Sequence, residues 1–247
     1  MRFAFRFRPV AFGAALVVAI MGSMLGNWQQ GRAAYKAELQ ARWQARAAEP
    51  PLALTAATPV GPGDELRAVR LRGEFVAGWP VLLANRPMAG PSHARSGFYL
   101  AMPFKIADSD TYVLVLRGWL ARPDGAEYGK LPPFSTPTGP LLLEGRVVMS
   151  AGKVMELGAG PPLAPGAMVQ NLTPEALAAA SGLALRPFLV QQTRAAGERD
   201  ALERDWPAPY AGIDKHRGYA FQWYALAALA LLFYVITGFR RGSRTNR

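Results

Sequence analysis

The sequence has no cysteine, and its only histidines are His93 and His216. Disulfides, thiolate zinc sites, iron–sulfur ligation and cysteine nucleophiles are thereby excluded. No G-x-S-x-G occurs, and the two histidines stand far apart in opposite contexts, so no nucleophile and base are set up for hydrolysis. "GAGPPLAPG" lacks the G-x-G-x-x-G spacing and does not open a helix, which removes the dinucleotide loop. The acid pairs Asp108 and Asp110, and Glu198 and Asp200, lie in polar runs and read as solvated turn residues without a role. No repeat of roughly 20 to 50 residues recurs. The expectation is a protein that is not an enzyme.

Acidic residues are missing from both ends. Arg2, Arg6 and Arg8 lead the chain and Arg240, Arg241, Arg244 and Arg247 close it. Removing these seven from 28 basic residues leaves 21 against 17 acids, so the net charge of +11 falls to +4 in the long middle. A charge held at the termini does not describe a nucleic-acid surface, and no nucleic-acid partner is expected.

Ionised side chains are also absent from two spans, Pro9 to Gly31 and Gly218 to Phe239. Each matches the ~20 residues with which a helix crosses a bilayer. Their outer flanks are the arginine clusters, so the positive-inside tendency puts both termini in the cytoplasm and the middle on the far side. No A-x-A site follows the first apolar run, and only eight residues precede it. That pattern favours a retained helix over a cleaved signal, and a bacterial inner membrane with a periplasmic middle over an organellar precursor.

The expected order is a basic tail at 1–8, a membrane helix at 9–27, a periplasmic domain at 28–217, a second membrane helix at 218–239 and a basic tail at 240–247. Trp28, Tyr35, Leu39 and Trp43 fall on one helical face, so the first helix continues as a stalk until Glu49-Pro50-Pro51 stops it. "LRAVRLRGEF", "PVLLANR", "GFYLAMPFKI" and "TYVLVLRGWL" then read as antiparallel strands, and "PLLLEGRVVM" and "PFLVQQT" as later ones. One short helix is signalled by Thr173 as cap, Pro174 at its first position and Gly182 as stop. "ELGAGPPLAPG" is a loop. The fold class is an α+β membrane protein: two transmembrane helices forming a hairpin around a β-rich, antiparallel periplasmic domain.

At about 100° per residue, His216, Tyr219, Ala220, Trp223, Ala227, Ala230 and Tyr234 share one face of the second span. Phe221, Ala225, Leu229, Leu232 and Ile236 face the other way, as a lipid-facing stripe would. Ala15, Ala19, Gly22 and Gly26 line the first span with small residues, the last two as a G-x-x-x-G. The two faces are candidates to pack together. Two readings of His216 stay open: an interfacial residue in an aromatic belt with Tyr219, Trp223 and Tyr224, or an axial ligand to haem iron. His93, in "GPSHARSG", has no second ligand near and reads as a surface residue.

"LGNWQQGR" at Leu25 to Arg32 resembles the L-G-x-W-Q-x-x-R that leaves the first membrane helix in the Surfeit-locus family. His216, Tyr219, Ala220, Trp223 and Tyr224 are similar to that family's second signature, H-x-x-Y-A-x-x-W-F/Y. Weaker matches are "RLRGEF", "GFYLAMPF" and "VLRGWL". Where the family reads V-N-R-G-W-V-P, Leu116 replaces the asparagine and "LAR" follows the tryptophan, which removes any polar role of that strand end; Arg117-Gly118-Trp119 is kept.

The resemblance implies an assembly factor for haem-copper cytochrome c oxidase that binds haem a and aids its insertion into the catalytic subunit. That subunit is the implied partner, with haem a synthase a possible further one. His216 becomes the candidate iron ligand, Tyr219 and Trp223 its neighbours, and Trp28, Gln29 and Arg32 the matching residues on the first helix, with Arg32 suited to haem propionates. The alternative is a cofactor-free membrane chaperone that holds the nascent oxidase subunit.

Overall fold

The computed structural model describes residues 3–88, 94–122, 133–156, 158, 160–194, 200, 202–208 and 211–241. His93 and Glu198 fall outside them, as does the tail from 242. The chain divides into two compact units, one of Met1–Arg42 with Ala208–Arg247 and one of Trp43–Pro207.

The first unit is a helix pair. Helix α1 (Pro9–Ala48) runs 40 residues, its last turns belonging to the second unit, and α3 (Ile213–Gly238) runs 26. Proline suits the first position of α1 because its missing N–H would have no partner there. The helix ends just before Glu49-Pro50-Pro51, where the expected stop lies. At ~1.5 Å per residue it is about 60 Å long, roughly twice a hydrocarbon core. Helix α3 starts at Ile213, five residues before the uncharged run, because charged residues mark the edge of a bilayer and do not stop a helix. His216 therefore sits inside its first turns, with its N–H donated to Gly212 at 3.2 Å.

Both helices are long and apolar enough to cross a bilayer, and only 22% and 17% of their apolar windows are buried. A core helix of a soluble domain would be mostly covered, whereas Val17, Met21, Phe221, Leu229, Leu232 and Ile236 are bare. So continuous an apolar surface needs lipid, and the chain is a membrane protein. Beyond the helices, β1 (Phe3–Phe5) pairs antiparallel with β10 (Phe239–Arg241), an element the sequence does not announce. Strands this short carry no periodicity; the helix pair brings them together.

The second unit is β-rich. Its strands are β2 (Leu52–Ala53), β3 (Ala68–Phe75), β4 (Val81–Leu83), β5 (Gly97–Ile106), β6 (Tyr112–Ala121), β7 (Leu141–Val148), β8 (Met168–Val169) and β9 (Leu185–Gln192), with α2 (Pro174–Ser181) before the last. They pair in the order β2-β3-β7-β9-β6-β5-β4-β8, and an added β3–β5 pairing closes β3, β7, β9, β6 and β5 into a barrel. Closure removes the open edges such a sheet would otherwise present. The barrel strands pair antiparallel except β6 with β9, which run parallel because α2 intervenes before β9.

Two cores result. Leu71, Leu100, Met102, Phe104, Val115 and Phe188 fill one cluster; Leu83, Ala101, Leu116, Trp119, Leu177 and Trp206 form the other. β5 and β6 are buried on both faces, which is why they read as unbroken apolar runs, while β3 alternates buried and exposed. Helix α2 has its expected ends: the Thr173 hydroxyl accepts from the Ala176 N–H at 3.2 Å, and Gly182 closes it at φ 73°.

A strap from Leu202 to Pro207 lies along β6. Trp119 and Glu203 exchange backbone hydrogen bonds of 2.7 and 2.9 Å. Arg95 grips Glu203 with two bonds, 2.8 and 2.6 Å, and stacks on Trp119. Arg117 is the extra residue of a bulge, since Leu100 faces Gly118 while Ala101 faces Leu116. Its guanidinium is buried against Phe75, donates to Thr136 Oγ1 and the Ser135 carbonyl, and lies 3.7 Å from Asp200. Arg204 grips the same carboxylate at 2.9 and 2.5 Å. Burial pushes Arg117 down to about 10, with Asp200 opposing and Arg204 adding to the fall.

This corrects the reading of Asp200 as a solvated turn residue: it is buried, because two arginines neutralise it. Asp110 is nearly fully exposed beside Lys105, and Asp108 takes a left-handed turn conformation, as expected of such residues. Gly118 is required by the strap. A Cβ there would stand 2.8 Å from Leu202 Cβ and 2.9 Å from the Glu203 carbonyl oxygen. Trp119 donates its indole N–H to the Arg86 carbonyl at 2.6 Å, and Leu116 is core. The Arg-Gly-Trp run thus anchors the strap.

Candidate functional site

The sequence-derived candidates all lie in the helix pair. Ala15, Ala19, Gly22 and Gly26 are the buried residues of the apolar part of α1, and Ala220, Ala227 and Tyr234 are buried on α3. The small-residue face meets the expected face of the second helix. A Cβ on Gly22 would stand 2.8 Å from the Trp223 carbonyl oxygen and 3.0 Å from Ala227 Cβ; one on Gly26 would strike the Tyr224 ring. Glycine at both positions therefore sets how closely the helices approach.

Above this seam a polar ladder ties the helices together. Tyr224 donates its hydroxyl to Asn27 Oδ1 at 2.6 Å. His216 Nδ1 and Gln29 Oε1 meet at 2.7 Å. Lys36 donates its ammonium to the Ala211 carbonyl. An amide oxygen has no proton, so in the His216 contact Nδ1 must be the donor. A neutral ring then carries its lone pair on Nε2, which makes no hydrogen bond among the described residues.

The two signatures are joined at two hydrogen bonds, Asn27 with Tyr224 and Gln29 with His216. Gln29 and His216 touch, although 187 residues separate them. Trp28 and Arg32 are exposed and make no hydrogen bond or ion pair among the described residues. Tyr219 is exposed, and Trp223 is half-buried with its carbonyl under Gly22. The stripe of Trp28, Tyr35, Leu39 and Trp43 is bare at its first two members and half-buried at its last, where Arg146 stacks on Trp43. The Asn27–Tyr224 pair is a further contact that a reading of separate motifs misses; the asparagine before Trp28 and the second aromatic of the other signature are its only local signal.

The donor set decides what could bind. Among the described residues no three His, Cys, Asp or Glu side chains gather to hold a bare metal ion. One imidazole, fixed through Nδ1 and open at Nε2, fits an iron whose other ligands come from a macrocycle. Arg32, uncommitted on the same helix as Gln29, supplies a planar cation suited to carboxylates.

Against known proteins, a family model described as SURF1 family matches residues 15–228. A SURF1-like protein of Monosiga brevicollis is 24% identical over 253 residues, covering 95% of this chain and 90% of that protein. Surfeit locus protein 1 of Rattus norvegicus is 31% identical over 108 residues, 40% of this chain and 35% of the rat protein. A SURF1-like protein of Drosophila melanogaster is 29% identical over 110 residues, again 40% of this chain and 37% of its own length.

Proposed function

We propose a function that starts from membership: the chain belongs to the SURF1 family. It is an assembly factor for haem-copper cytochrome c oxidase, binding haem a at the Gln29–His216 junction and passing it to the catalytic subunit. It works in a bacterial inner membrane, with both termini cytoplasmic and the β-rich unit periplasmic. The observation that supports this most is the 2.7 Å contact between the two signatures, which leaves His216 Nε2 open.

Haem a would supply an iron that His216 would hold, a neutral imidazole being a common ligand to it. The chain's own residues do the rest. Gln29 holds the ring and its proton, so His216 is oriented before any cargo arrives. Arg32 is free to pair with a propionate, and Tyr219 and Trp223 offer aromatic surface one and two turns along α3. A single imidazole, with no further ligand close by among the described residues, would suit a carrier that must also let go.

The test is to purify the protein from cells that make haem a and compare it with His216→Ala by optical spectroscopy. Wild type should carry the haem a bands and the variant should lose them; equal retention removes the ligand role. A second reading, a cofactor-free chaperone for the oxidase subunit, draws on the bare aromatics Trp28 and Tyr35 on one face of α1. Crosslinking of that subunit in cells unable to make haem a would favour it.

A further inference from the structure

We propose that the opposite end of the helix pair, where the termini meet, is a binding site for an anionic glycerophospholipid. A cavity of about 520 Å³ lies there, lined among others by Arg6, Phe7, Arg8, Val10, Ala14 and Thr237. Ligand sites commonly occupy 300–1,000 Å³, roughly, and this one has two chemically distinct sides. Arg6 and Arg8 make one side cationic. Val10 and Ala14, on the first turns of α1, make the other apolar and lead onto the exposed apolar surface at Val17 and Met21. A phosphate beside the arginines with an acyl chain along that helix matches both.

The arginines have no internal counter-ion among the described residues. Neither forms an ion pair among the described residues. The sequence has no Asp or Glu before Glu38 and none after Asp214, so no acidic side chain of either helix end stands near them in sequence. Both arginines are exposed, and at the edge of an apolar helix surface the abundant anion is a lipid phosphate.

The segment is held in place rather than trailing. β1 is paired with β10, and the Arg6 N–H is donated to the Gly238 carbonyl at 2.9 Å. Phe5 packs edge-on against Tyr234 and Phe239, with ring centroids 6.0 and 5.4 Å apart, and Phe7 lies 5.6 Å from Phe12. The aromatics alternate with the arginines in sequence, so packing the first fixes where the second begin.

The full chain, purified in a neutral maltoside micelle, is titrated with phosphatidylglycerol, cardiolipin and phosphatidylcholine, and binding is read by native mass spectrometry. Phosphatidylglycerol and cardiolipin should bind well above phosphatidylcholine. Each arginine should contribute about fivefold, so Arg6→Gln with Arg8→Gln should weaken binding roughly 25-fold, and the double lysine variant should keep most of it. Equal binding of the charged and zwitterionic lipids overturns the proposal. So does an unchanged double glutamine variant whose circular dichroism matches wild type. Glycerol 3-phosphate is the remaining arm: if it displaces the lipid at comparable concentration, the site is for a soluble phosphate and the lipid assignment falls.

Discussion

Replacing Gln29 by leucine isolates what the contact with His216 does. The substitution removes the acceptor while keeping an apolar side chain of similar size. In the native pair, Gln29 Oε1 sits 2.7 Å from Nδ1, a full-strength geometry. Losing a neutral hydrogen bond costs about 1 kcal/mol net, enough to release the ring into both tautomers and other rotamers. For a ligating histidine, loss of the residue that holds its second nitrogen typically costs about 10–100-fold in metal affinity. Gln29→Leu should therefore bind haem a about 10–100-fold more weakly, and Gln29→Glu, which still accepts from Nδ1, should bind at least as well as wild type. Nitrogen-15 NMR of the cofactor-free protein, at a pH where the ring is neutral, checks the premise separately. Wild type and the glutamate variant should show the proton on Nδ1, and the leucine variant a mixture. A wild-type ring protonated on Nε2 would refute the reasoning outright. The expected tautomer together with an absence of haem binding would instead keep Gln29's role and reject the cargo.

Gly22→Leu should separate the helices, because its first side-chain carbon alone would lie 2.8 Å from the Trp223 carbonyl oxygen; a spin-label distance between residues 19 and 227 should widen. Asp200→Asn leaves Arg117 and Arg204 buried without their carboxylate, which should destabilise the β-rich unit by about 3–5 kcal/mol, seen as a fall in thermal unfolding temperature. Gly118→Val should free the strap, raising protease cleavage near residue 203 while leaving the barrel's strand signal in circular dichroism. Arg95's two hydrogen bonds hold the Glu203 carboxyl below its usual value of 4.5. The unfolded chain thus takes up that proton first: the stabilisation is complete above about 4.5 and is lost as pH falls through the lower, folded value. Unfolding measured from pH 6 downward should be less pH-dependent in Glu203→Gln than in wild type.

Local signals carried much of this fold. The alternation of β3, the double-sided burial of β5 and β6, the caps of α2 and the two packing faces of the helix pair are all visible in residue types at fixed spacing. The faces were legible because glycine and alanine at turn intervals leave few other uses for a membrane helix. What stayed hidden depends on partners far along the chain. Asp200 looks like any turn acid until Arg117 and Arg204 surround it, and β2, β8 and the β1–β10 pair are too short to have a period. The candidate site was half legible: both motifs could be seen, but not that Gln29, rather than Trp28 or Arg32, would meet the histidine.

The helix pair also carries a clock. Gln29 leaves the ribosome early and His216 only 187 residues later, after every barrel strand has been made. Pairing so distant in sequence is the slow kind to form. A nascent chain, or one whose translation stops within the barrel, displays Gln29 without His216. The contact between the two helices thus exists only in a finished molecule.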